Sequence, residues 1–130
     1  MLGFQTFPSK ISFGVLTFCA IMEKMTVING NFEWDSEKDK INKAKHGFSF
    51  SEILDMFDDP FFIERYDAEH SSLEEERYIG LGESGGAVIV MTAYTERKRT
   101  RIISARFATE SERKLYYDCR TNSEITKQTN

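Results

Sequence analysis

Three arginines, Arg77, Arg101 and Arg106, lie in stretches that read as β-strands, and each is suited to gripping a phosphate. A guanidinium keeps its charge at physiological pH and bonds two phosphate oxygens through one planar fork. Around them, from Arg97 to Phe107, stand Arg97, Lys98 and Arg99 and no acid at all. Fixed cations beside a phosphodiester stabilise the charge that builds on the phosphoryl oxygens when a ribose 2′-oxygen attacks phosphorus. Such cleavage needs no metal, but it does want a general base, a task for which arginine is poor. His46, in KAKHG, is one candidate; the last turn of a helix favours its imidazolium, which also makes it an ordinary C-terminal cap. Glu96 and Tyr94, beside the basic turn, are others, whereas His70 in DAEHSS reads as turn material.

Strict alternation complicates the arginines. It puts Arg101 with Arg99 and Ile103, and Arg106 with Ile102 and Ser104, so the two arginines face opposite ways unless a bulge intervenes. Arg77 heads a face with Ile79 and Leu81 and is equally well read as snorkelling to the sheet edge. A solvated face laced with ion pairs is the plain alternative for all of them.

Other chemistries find little support. His46 and His70 have no third partner at zinc-ligand spacing, and Cys19 and Cys119 match no metal or redox spacing. Reduced thiols in a cytosolic protein are expected. No Gly-rich phosphate loop and no serine nucleophile elbow is present, so no cofactor and no metal are implied.

The elements that must position these residues are legible in order. NFEW (31–34) reads as a short strand, and Asp35 caps a helix over SEKDKINKAKH, with Ile41 and Ala44 as a thin apolar stripe and Gly47 ending it. Ser49 and Glu52 have capping-box spacing, with Phe48 and Ile53 as a hydrophobic staple. The helix they open carries Phe50, Leu54 and Phe57 on one face and stops at Pro60. FFIERYD, ERYIGLG, AVIVMTAYT and RTRIISARF then read as strands, joined through GESGG and ERK turns into an antiparallel meander. Thr109 and Glu112 form a second capping box before a final helix. The fold class is α+β: two N-terminal helices, a small antiparallel meander sheet and a C-terminal helix.

At 130 residues, with eleven Phe and five Tyr, the chain suits one domain with a real core. Its net charge of −4 hides an asymmetry. From Glu52 to Glu76 the acids crowd around a lone base, Arg65, while the basic run follows from Arg97. Local charge sets the local field, so one molecule can carry both an acidic and a basic surface. The apolar run Ile11–Met22 falls short of the ~20 residues that span a bilayer. It lacks a clean signal-peptide cleavage site, and a translation start at Met22 or Met25 accounts for it more simply. The expected organisation is an extension over 1–28, a domain over 29–118 and a frayed tail over 119–130.

The ordered set FEWD, KHG, FDDP, ERYIGLG and TERKRTRIISAR resembles the BrnT family of bacterial toxins, over Phe32 to Tyr117. The resemblance implies a RelE-like fold and a metal-independent ribonuclease that stops translation in the cytoplasm. It also implies neutralisation by a BrnA-type antitoxin with a ribbon-helix-helix domain, the complex repressing its own operon through operator DNA. Carried over by position, it points to Lys45 and His46, Arg77, Glu96 and Arg97, and Arg101 and Arg106. Arg77, Arg101 and Arg106 are then expected as phosphate and transition-state groups, His46 or Glu96 for proton transfer, and Lys45, Arg97, Lys98 and Arg99 for RNA. The acidic Glu74, Glu75 and Glu76 are expected to dock a basic antitoxin. The rivals are a module of the same fold that binds nucleic acid or protein without catalysis, and a toxin that has kept its fold and lost its activity.

Overall fold

A computed structural model of the chain describes residues 25–129. The strands are β1 (Thr26–Asn29), β2 (Phe32–Asp35), β3 (Ile63–Tyr66), β4 (Arg77–Ser84), β5 (Val88–Glu96) and β6 (Thr100–Phe107). The helices are α1 (Ser36–His46), a 3-10 helix (Phe50–Asp58) and α2 (Glu110–Thr129). The α+β class holds, but the arrangement differs from the sequence expectation. Among the described residues, the six strands form one mixed sheet in the order β1-β2-β6-β5-β4-β3. β3 to β6 do form the antiparallel meander; β2 adds to its far side parallel to β6, and β1 pairs antiparallel with β2. A parallel neighbour needs a long crossover, and here the whole path from α1 through β5 supplies it. The strand at Thr26 also brings residues assigned to the extension into the sheet, through a two-residue turn in which Gly30 adopts φ 62°. The apolar run Ile11–Met22 and the alternative start at Met22 lie outside the described residues.

Asp35 caps α1 as its sequence predicts, accepting from the Glu37 N–H at 2.8 Å, and Gly47 closes it in the left-handed conformation. Its apolar stripe does not face the core: Ile41 and Ala44 are exposed, and Asn42 is the buried residue. β2 pairs with β6 only as far as Ile102, leaving the later β6 edge for α1. The Asn42 carbonyl fills that edge, accepting from the Ala105 N–H at 3.1 Å. A polar side chain thus stands in for a missing strand.

The second N-terminal helix is 3-10 rather than α, which changes its inward face. At three residues per turn the stripe becomes Phe50, Ile53 and Met56, all buried, rather than Phe50, Leu54 and Phe57. Leu54 and Phe57 pack at the margin of the same core, with Trp34, Val90, Ile102 and Ala105. Ser49 donates to the Glu52 carboxylate at 3.0 Å rather than capping a backbone N–H. The YIGLG motif now has a reason. A Cβ on Gly82 would lie 2.7 Å from the Met56 carbonyl oxygen, and one on Gly80 would strike the Phe62 ring. These glycines let the end of the 3-10 helix settle directly on β4.

The capping box at Thr109 and Glu112 forms reciprocally, at 2.9 and 3.2 Å, and starts α2. The tail expected to fray continues this helix to Thr129, although Tyr116 is its one buried residue. Tyr116 donates to Asp59 at 2.5 Å, and Arg120 lies over the Phe61 ring. α2 therefore covers one end of the sheet's outer face, through Leu81, Ile89 and Met91, and leaves the rest of that face open.

Candidate functional site

The open part of the outer face is set by one irregularity in β6. Register pairs Thr92 with Ala105 and Ala93 with Ser104, then Tyr94 with Ile102 and Thr95 with Arg101, so Ile103 has no opposite residue on β5. This bulge restores to one face what alternation would divide. Arg101, Ser104 and Arg106 all lie opposite outer-face residues of β5, while Ile102 turns into the core. Thr95 also pairs with Arg77, and Arg101 with Glu33. A row of Arg77, Thr95, Arg101 and Glu33 therefore crosses four strands on one face.

Each arginine is held by a carboxylate. Arg101 bonds Glu33 at 2.7 Å, with Arg99 4.0 Å from the other oxygen of that carboxylate. Arg77 Nε donates to Glu75 at 2.9 Å, and Arg97 donates to the same carboxylate at 2.8 Å. Those bonds from Arg97 and Arg77 hold the Glu75 carboxyl below the usual carboxylate range. Of the acidic trio expected to dock a partner, Glu75 thus turns into the cationic site, Glu76 accepts from the Tyr78 hydroxyl, and Glu74 stands exposed. Lys98 is exposed at the tip of the β5–β6 hairpin.

Arg106 has a different attachment. It makes a two-pronged bond to Glu112, at 2.8 and 3.0 Å, and Glu112 is also the carboxylate of the α2 capping box. The Arg106 bond pulls the Glu112 carboxyl from 4.5 down to about 2. A carboxyl lowered in the folded state stabilises it above its unfolded value and loses that contribution as pH falls through the folded one. Arg106→Ala is expected to cost about 1–2 kcal/mol at neutral pH. In urea melts across pH, the gap from wild type should close between about pH 4.5 and 2. A gap that stays constant through that window would place the effect elsewhere.

Two grooves flank the bulge and share Ile103 and Ser104 as a common wall. The first holds Lys38, Lys45 and His46 from α1, and no arginine lines it. The second, about 240 Å³, holds Arg77 together with Asp67 and His70 over a floor of Ile79, Met91 and Ala93. His70 Nδ1 lies 2.9 Å from the Asp67 carboxylate, and Asp67 is buried. In sequence, Asp67 and His70 stand three apart in DAEH, a spacing that one turn brings together. By alternation Glu96 falls on the opposite face with Tyr94, and its carboxylate accepts from Thr100 at 3.0 Å. Tyr94 is buried and bonded to Glu64, and burial first, then Glu64, pushes its phenol well above the ordinary range. It cannot act as a proton acceptor near neutral pH. Among the described residues no three His, Cys, Asp or Glu side chains cluster as metal ligands, and no helix is long and apolar enough to cross a membrane.

Residues 34–112 match the sequence model of a family described as the ribonuclease toxin BrnT of a type II toxin-antitoxin system. Among solved structures, the chain is similar to the ribonuclease toxin BrnT of Brucella abortus. They share 24% identity, with 59% of this chain and 94% of that one covered and a TM-score of 0.45. No curated protein matches the chain.

Proposed function

The chain belongs to the BrnT family of ribonuclease toxins of type II toxin-antitoxin systems, and from that premise we propose that it cuts RNA without a metal, using the arginine row of its outer face. The observation that carries this reading is the bulge at Ile103, which sets Arg101 and Arg106 on the same face as Arg77. A phosphodiester laid across the row meets guanidinium groups from two strands, with Arg97 and Arg99 at its margin. As the 2′-oxygen attacks, charge grows on the phosphoryl oxygens, and cations fixed in the sheet need little rearrangement to meet it. Lys45 and Lys98 extend the positive surface along the backbone of the RNA. Proton transfer needs a further group; His46 sits in the groove without arginines, and Glu96 on the other face. Cleavage of messenger RNA in the cytoplasm would stop translation.

A type II system implies a protein antitoxin. The exposed acids around Glu74 and Glu76 fit a basic partner of the BrnA type, whose ribbon-helix-helix domain would carry the complex to operator DNA. A second reading has its own support: Arg77, Arg101 and Arg106 each already bond a carboxylate, as they would in a binding module without catalysis. Induction of the chain from Met25, with and without a cognate antitoxin, separates the two. The ribonuclease reading expects growth arrest with fragmented RNA, both relieved by the antitoxin. Intact RNA and normal growth from soluble, folded protein would favour the binding module.

A further inference from the structure

We infer that His70, oriented by Asp67, takes the 2′-hydroxyl proton when this chain cleaves RNA, an assignment that rests on the ribonuclease reading above. The pair has the geometry of an aimed base. The imidazole is accessible, its side chain 61% exposed, while the Asp67 carboxylate that holds Nδ1 is 9% exposed. With Nδ1–H donated to Asp67, Nε2 becomes the acceptor. The loop carrying them is tied to the arginine beside it. Asp67 N–H donates to the Arg77 carbonyl at 2.8 Å, Ser71 Oγ donates to the Asp67 carbonyl at 2.6 Å, and Arg77 N–H donates to Ser71 Oγ at 2.8 Å. His70 and Arg77 line one groove. The Glu75 bond occupies Nε of Arg77, which leaves the terminal nitrogens for a phosphate.

The step balances without a co-reactant beyond water. His70 Nε2 takes the 2′-hydroxyl proton as the 2′-oxygen bonds phosphorus. The bond from phosphorus to the 5′-oxygen breaks, and that oxygen takes a proton from water. The hydroxide formed recovers the proton from His70. The products are a 2′,3′-cyclic phosphate and a 5′-hydroxyl end. The charged groups facing the imidazole are Asp67 on its own loop and Arg77 on β4, with Glu75 behind Arg77; β5 and β6 present Met91, Ala93, Ile103 and Ser104.

The test uses the full chain and a fluorescently labelled RNA oligonucleotide of mixed sequence, with melting curves for every variant. His70→Ala is expected to lower kcat by about 10²–10⁴-fold with KM nearly unchanged, and added imidazole to restore part of it. Asp67→Asn should lower kcat less than His70→Ala, again with KM nearly unchanged, because the imidazole loses the partner that orients it. Wild-type cleavage with folded His70→Ala equally active would overturn the assignment and leave the ribonuclease reading standing. Loss of activity that imidazole never restores, with kcat unchanged in Asp67→Asn, would also overturn it. Folded wild type that binds the oligonucleotide without cutting it would overturn both.

Discussion

Alanine in place of Arg77 is expected to lower kcat for RNA cleavage by about 10²–10³-fold, the loss seen when one preorganised donor is removed from a developing anion. The size follows from how firmly the residue is placed. Its backbone N–H and carbonyl are tied to Ser71 and Asp67, and its Nε to Glu75 at 2.9 Å. A guanidinium so anchored loses little freedom when phosphate arrives, so most of its interaction is available to the transition state. Arg77→Lys should recover only a small part, because an ammonium cannot hold Glu75 and span two phosphate oxygens at once. Single-turnover cleavage of a labelled RNA, alongside a thermal melt, checks this. Activity within a few-fold of wild type in a folded Arg77→Ala protein would remove this arginine from the chemistry.

The second large effect is on stability. Phe50→Ala should destabilise the fold by about 3–5 kcal/mol, a large share of the roughly 5–15 kcal/mol that a domain of this size commonly has. Phe50 is fully buried and meets Trp34 edge-on at 6.0 Å between ring centroids. It starts the stripe with Ile53 and Met56 that fastens the 3-10 helix to β5 and β6. The short helix has little intrinsic stability of its own, so the packing of that stripe decides whether it forms. Leu54→Ala, at the margin of the core, should cost distinctly less. Urea unfolding of both variants would settle the order, and the reverse order would mean that the α-helical face expected from sequence is the one that matters.

That contrast shows what the sequence made legible. Asp35, Gly47 and the Thr109–Glu112 box were readable because capping is a local matter of a few residues and their own backbone. The meander was readable from its turns. The parallel pairing of β2 with β6 was not, since the contact joins residues near position 33 to residues near 101 and no local signal reports it. The strand at Thr26 had a signal, the Gly30–Asn31 turn, that the apolar run upstream overshadowed. Asn42 defeats hydrophobic periodicity altogether: its burial makes sense only beside an open strand edge.

The candidate site was half legible. The arginines were identifiable by type and strand, and the need for a bulge followed from alternation. Where the bulge fell could only come from the register of β5 against β6. His70 looked like loop material because the groove it enters is assembled by four separate strands or loops. Glu96 was near Arg97 in sequence, but alternation in the sheet carries neighbours to opposite faces.

The carboxylates that hold the arginines have one further consequence, for ionic strength. A strand of RNA approaching a bare arginine sheds its own bound cations, and affinity then falls steeply with added salt. Here a phosphate that replaces Glu33 on Arg101 sets free a carboxylate, which gathers a cation from solution as the RNA gives one up. Release at one surface is met by uptake at the other. RNA binding by this protein should therefore be less sensitive to salt than its row of arginines implies, with discrimination resting on how well the phosphate fits the site rather than on the sum of charge.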